Sequence, residues 1–152
     1  MSLRETFNAA MKEALKAGDK PRLSAVRLIN AAVKDRDIEA RGAGEGQATE
    51  DEIITLLQKM IKQRHESVAM YESGGRPELA AQERAEIAVI TAFLPRQLDD
   101  AEIAAAIKEA IAATGAASIK DMGKVMAALR ERHAGKMDFS KAGPAVKAAL
   151  GN

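Results

Sequence analysis

At 152 residues, with 23 Lys/Arg against 22 Asp/Glu and a net charge of +1, the chain suits one compact domain or two small ones and has no overall electrostatic bias. The absence of cysteine excludes a disulfide framework, thiolate zinc ligands and a cysteine nucleophile. No stretch approaches the ~20 uninterrupted apolar residues of a membrane span, and the charged opening Met1 to Phe7 has no apolar signal core, so the expectation is a cytoplasmic protein, neither secreted nor membrane-inserted.

Alanine, leucine, glutamate, lysine and arginine dominate, and no alternating apolar run of strand type occurs, which predicts an all-α fold. Ser2 with Glu5 reads as a capping box opening a first helix, with Leu3, Phe7, Met11 and Leu15 on its apolar face and Gly18 as its stop. Asp19 caps a second helix with Pro21 in its first turn, running to about Arg41 and burying Leu23, Val26, Ile29, Val33 and Ile38. Residues 42–48 read as a flexible glycine-rich loop. Thr49 with Glu52 forms a second capping box, and Glu50 and Asp51 meet the positive end of the dipole of a third helix, about 49–73. That helix presents Ile53, Leu57, Met60, Ile61, Val68 and Tyr71.

Gly74 and Gly75 end it, and a fourth helix runs from Arg76 to Leu94 with Leu79, Ile87, Ile90, Phe93 and Leu94 facing inward. Pro95 disfavours helical geometry at Leu94 and marks the boundary between a four-helix part, residues 1–95, and a three-helix part, residues 96–152. In the second part, Asp99 with Glu102 caps a helix of about 99–113 carrying Ile103, Ile107 and Ile111, closed by Gly115. Ser118 opens the next, with Met122, Val125, Met126 and Leu129; the last, about 138–150, carries Val146 and Leu150.

Little in this chain reads as catalytic. His65, Glu66 and Ser67 are consecutive, and on a helix such neighbours point in different directions and cannot form a triad. His133 sits at a helix C-terminus, a common capping position. No His-x3-His or Glu-x-x-His pair suggests a metal, and the glycine loop lacks both the strand and the Gly-Lys-Ser/Thr ending of a phosphate loop. The reading therefore assigns no catalytic residue, no cofactor and no metal. Met122, Met126 and Met137 read as core more readily than as an adaptable binding surface.

Nucleic-acid binding is the remaining chemistry. Residues 123–152 hold six Lys/Arg against two Asp/Glu, whereas residues 1–95 hold 14 against 15. Candidate phosphate contacts are Lys124, Arg130, Arg132, Lys136 and Lys147, with Lys141 nearby; Gly123 and Gly135 would admit a backbone closely. With one tyrosine, three phenylalanines and no tryptophan there is no platform for stacking single-stranded bases, so the contacts would be to phosphates and folded shape. The rival reading is a helical protein-interaction module that uses helix 49–73 and its Lys62–Tyr71 face to dock a partner.

Two segments carry a family resemblance. One runs Lys62-Gln-Arg-His-Glu-Ser-Val-Ala-Met-Tyr-Glu-Ser-Gly-Gly-Arg-Pro-Glu-Leu-Ala80, with Glu83, Glu86-Ile87, the Phe93-Leu-Pro-Arg-Gln-Leu98 turn and, upstream, Lys34 to Arg41. The other is Asp121-Met-Gly-Lys-Val-Met126 followed by Gly135-Lys-Met-Asp138 and Val146 to Leu150. Together they resemble the YqeY family over nearly the whole length, and the second also resembles the tail domain of GatB, a component of the tRNA-dependent amidotransferase. The resemblance implies a helical bundle joined to a three-helix tail, and a tail that helps hold tRNA while mischarged Glu-tRNA or Asp-tRNA is amidated. Partners so implied are tRNA and a protein such as an aminoacyl-tRNA synthetase or the amidotransferase. A carbon–nitrogen ligase label would be inherited by association, since the amidating centres lie in parts of that enzyme with no counterpart here. Met137, where the family turn usually has alanine, and Pro144, one turn inside the last helix, depart from the pattern.

Overall fold

The structure, a computed structural model, describes residues 1–151. Those residues form seven α-helices and one 3-10 turn, with no strand among them. They divide into two compact units, Met1–Leu94 and Pro95 onward.

The first unit holds α1 (Leu3–Ala17), α2 (Lys20–Gly42), α3 (Glu50–Ser73) and α4 (Pro77–Thr91). The starts follow the local chemistry that the sequence predicts. Ser2, Asp19 and Thr49 each accept a hydrogen bond from the backbone N–H three residues on. Two of the expected capping boxes are only half made. Glu5 returns no bond to Ser2, and Glu52 turns away from Thr49 to pair with Arg36 of α2. Glu50 also does more than face its own helix dipole: its carboxylate accepts from the Leu3 N–H at 3.0 Å, so the starts of α1 and α3 are joined.

The core of this unit is built on Phe7, Val26, Ile29, Ile53, Leu57 and Ile90. Phe7, fully buried, meets the Phe93 ring edge-on with centroids 5.1 Å apart. Beyond the ~2–3 kcal/mol of burying such a ring, this geometry adds about 1 kcal/mol. Phe93 reaches it because α4 stops at Thr91, three residues before the expected Leu94, and a tight turn follows. Arg64 of α3 and Glu86 of α4 join those helices at 2.9 Å, and Arg64 also donates to the Met60 carbonyl.

Leu15, Ile38 and the glycine loop depart from the sequence-based expectation. Leu15 and Ile38 are 62% and 55% exposed, because each lies at the edge of its helix's apolar stripe and no neighbouring helix covers it. The glycine loop is anchored at its far end: buried Ala48 donates to Asp37 and its carbonyl accepts from Arg4.

The second unit holds α5 (Asp100–Thr114), the 3-10 turn Ile119–Asp121, α6 (Met122–His133) and α7 (Phe139–Ala149). Asp99 and Glu102 form a complete capping box, and α5 ends at Gly115, whose φ of 68° suits a residue without Cβ. Ile107, Val125, Leu129, Met137, Ala142 and Val146 make the core. Met126 and Met137 are buried and Met122 packs against the same cluster, so these methionines are core. α7 starts at Phe139, with Asp138 capping the Ser140 N–H at 2.9 Å, and Pro144 lies inside it.

Candidate nucleic-acid interface

The candidate residues lie on α6, on the turn that leaves it, and on α7. Along α6, successive residues are about 100° apart around the axis. Val125, Met126 and Leu129 take the inward side, leaving Gly123 and Lys124 exposed in the first turn. Beyond its chain neighbours and its own helix backbone, a Cβ at Gly123 would meet no atom within 4 Å, so the backbone there is open to an approaching group. Asp121, just before α6, accepts from the Ala117 and Ser118 N–H groups at 2.9 and 3.4 Å. These bonds, and then the nearby Lys124 charge, hold its carboxyl below the usual range.

Arg130 and Arg132 do not share a face. Their spacing places them about 160° apart on the intervening arc. The guanidinium of Arg130 sits 5.7 Å from the ring centroid of Phe139 in α7, a cation–π contact that orders it. Arg132 reaches the other flank, toward Glu109 of α5 at 3.4 Å. The seven candidate positions therefore do not form one cluster. α6 carries cations on both flanks, and among the described residues only Arg132 of these is ion-paired.

The turn after α6 is the most closely held part of the candidate region. Gly135 has φ 74°, and its carbonyl accepts from the Gln97 side chain at 2.7 Å. The Lys136 carbonyl accepts from the Leu98 N–H at 2.8 Å, while its side chain is exposed. The segment 96–98 thus clasps the turn, and Arg96 fixes that segment with a two-pronged pair to Glu102 at 2.9 and 2.7 Å. That pair, followed by the Asp99 N–H, pulls the Glu102 carboxyl down to about 2. On α7, Lys141 and Lys147 are exposed, with no ion-pair partner among the described residues. Met137 fills the core, and both the clasp and the Asp138 cap are formed around it.

Charge accounts for the contrast between this unit and the first. Four of its seven carboxylates are engaged by backbone: Asp99, Glu102, Asp121 and Asp138 all accept from N–H groups near helix starts. Lys124, Lys136, Lys141 and Lys147 make no ion pair among the described residues. Sequence reasoning located the cations but missed the Phe139 stack, for which the nine-residue separation of Arg130 and Phe139 gives no periodic signal.

The other candidate chemistries are not assembled. His65 is exposed on α3, and the Ser67 hydroxyl donates to the Gln63 carbonyl of its own helix. Among the described residues no group of three His, Asp or Glu is placed to hold a metal, and no helix is long and apolar enough to cross a membrane.

Residues 4–150 match the family described as Yqey-like protein. The chain belongs to the YqeY family. Among characterised relatives, this YqeY-family chain is similar to "Altered inheritance of mitochondria protein 41, mitochondrial" of Saccharomyces cerevisiae: the proteins of strains YJM789 and S288c are each 27% identical to it over 84 residues. Those 84 residues are 55% of this chain and 44% of the yeast protein, so the likeness spans under half the length of these relatives.

Proposed function

We propose that this YqeY-family chain is a cytoplasmic tRNA-binding or tRNA-amidotransferase-associated module that binds without catalysing. The observation that carries the reading is the set of exposed lysines, Lys124, Lys136 and Lys147, which have no ion-pair partner among the described residues, in a three-helix unit where Asp99, Glu102, Asp121 and Asp138 are engaged by backbone amides. The tail's likeness to that of GatB favours tRNA over other polyanions. Arg130, held over Phe139, adds a preorganised cation, and Gly123 leaves backbone open on the same helix, whereas the Gly135 carbonyl is already taken by Gln97. Cations on both flanks of α6 suit phosphates on a folded RNA better than the single groove of a duplex. A carbon–nitrogen ligase activity would then belong to a protein associated with this one.

The test is binding of the full chain to deacylated tRNA at low and near-physiological salt, with duplex DNA of equal charge as competitor. Saturable binding that survives both supports the reading, and binding lost in both removes it. Replacing Lys124, Arg130 and Lys136 together by alanine should flatten the salt dependence by about three units, one per cation. Unchanged binding would exclude these residues as the interface.

A further inference from the structure

One face of α2 is amphipathic and unoccupied. Lys20, Leu23, Ser24, Arg27 and Leu28 fall at i, i+3, i+4, i+7 and i+8, the spacing of a single helical stripe. It is distinct from the stripe of Val26, Ile29, Val33 and Ala40 that builds the core. With Leu15 of α1 these five residues line an open groove of ≈ 600 Å³ in the first unit. Leu15 is 62% and Leu28 43% exposed, two large apolar side chains on one groove.

The charges of the groove have one sign. Lys20 and Arg27 line it, no carboxylate does, and neither cation has an ion-pair partner among the described residues. The acids nearest in sequence are committed elsewhere: Glu13 pairs with Arg22 at 3.7 Å, and Asp19 caps the Arg22 N–H. Leucines in the floor offer nothing to a phosphate, so the lining disfavours RNA. A second copy docked about a two-fold axis would set the cations Lys20 and Arg27 against cations of the same groove, so self-pairing is disfavoured too. We propose that this groove docks an amphipathic helix of another protein, with apolar residues seated on Leu15, Leu23 and Leu28 and glutamate or aspartate on its flanks facing Lys20 and Arg27. The stripe is about 12 Å long, which matches two turns of such a helix with two or three anchors. This surface is in the first unit and does not depend on the tRNA reading.

The test titrates the full chain into labelled synthetic peptides, followed by fluorescence anisotropy and by backbone amide shifts. The probe is a helical peptide with leucine at i, i+3 and i+7 and flanking glutamates. Its twin has lysine for every glutamate, and polyglutamate without leucine serves as the third ligand. The acidic peptide should bind at least about tenfold more tightly than either, shifting amides of residues 13–28. Leu15→Asp with Leu28→Asp should weaken it about tenfold, and Lys20→Glu with Arg27→Glu should reverse the preference between the twins. All four positions are solvent-accessible, and far-UV circular dichroism checks that each variant stays folded. Equal binding of the twins, no binding of the acidic peptide, or an unchanged preference after the charge reversal would overturn the proposal. So would equally tight binding of polyglutamate or deacylated tRNA at residues 13–28, or a concentration-dependent doubling of mass reversed by the leucine substitutions.

Discussion

A buried carboxylate is costly unless its lone pairs are met, and Asp37, 7% exposed, meets them with the two prongs of Arg4 at 2.8 and 2.7 Å and the Ala48 N–H at 2.9 Å. The Arg4 hydrogen bonds and, behind them, the Ala48 N–H lower its carboxyl from 3.8 to about 2. Because the folded value is the lower one, the stabilisation is full above about pH 4 and is lost as pH falls toward 2. Asp37→Asn should therefore cost the first unit about 2 kcal/mol in urea unfolding at pH 7, with the gap to the parent closing as the pH approaches 2. This knot was not legible in the sequence, since its partners are 33 and 11 residues apart and no local pattern links them. At the other end of the chain, Arg132→Ala should lower the tRNA salt slope by less than Lys136→Ala does. Glu109 already partners Arg132, whereas Lys136 has no ion-pair partner among the described residues.

Where the helices begin was readable because a cap is a contact between residues three apart, and Ser2, Asp19, Thr49 and Asp99 all make it. The reciprocal half of the box was less predictable, because a long glutamate can choose a distant partner, as Glu52 chooses Arg36. Periodicity likewise identified the inward faces through Phe7, Val26, Leu57 and Leu129, yet could not say where a stripe's edge goes uncovered, as at Leu15 and Ile38. The candidate interface was legible as a list of cations but not as an arrangement, because Arg130 and Arg132 are directed by residues on two different helices. In α7, Pro144 is the sixth residue and removes the N–H that would reach the Ser140 carbonyl. Its ring is exposed, so Pro144→Ala restores the bond without opening a cavity. That substitution should stabilise the second unit by about 2 kcal/mol, read as a higher thermal midpoint for that unit.

The two cores share no residue: one is centred on Phe7, Ile29 and Leu57, the other on Val125, Leu129 and Val146. Effects placed deep in separate cores should add rather than couple. Native-state amide exchange on the Asp37→Asn variant should show faster exchange within residues 1–94 and near-parental rates in α5 to α7. Combining it with Pro144→Ala should leave each unit's shift as it was alone. The clasp of Gln97 and Leu98 on Gly135 and Lys136 has a practical corollary for anyone dissecting the chain. The second unit is stitched together ahead of its first helix, so a tail fragment begun at the Asp99 cap would be truncated where it looks whole. Begun at Pro95, the fragment keeps both stitches, and the turn bearing Lys136 keeps its shape for any RNA assay done on the tail alone.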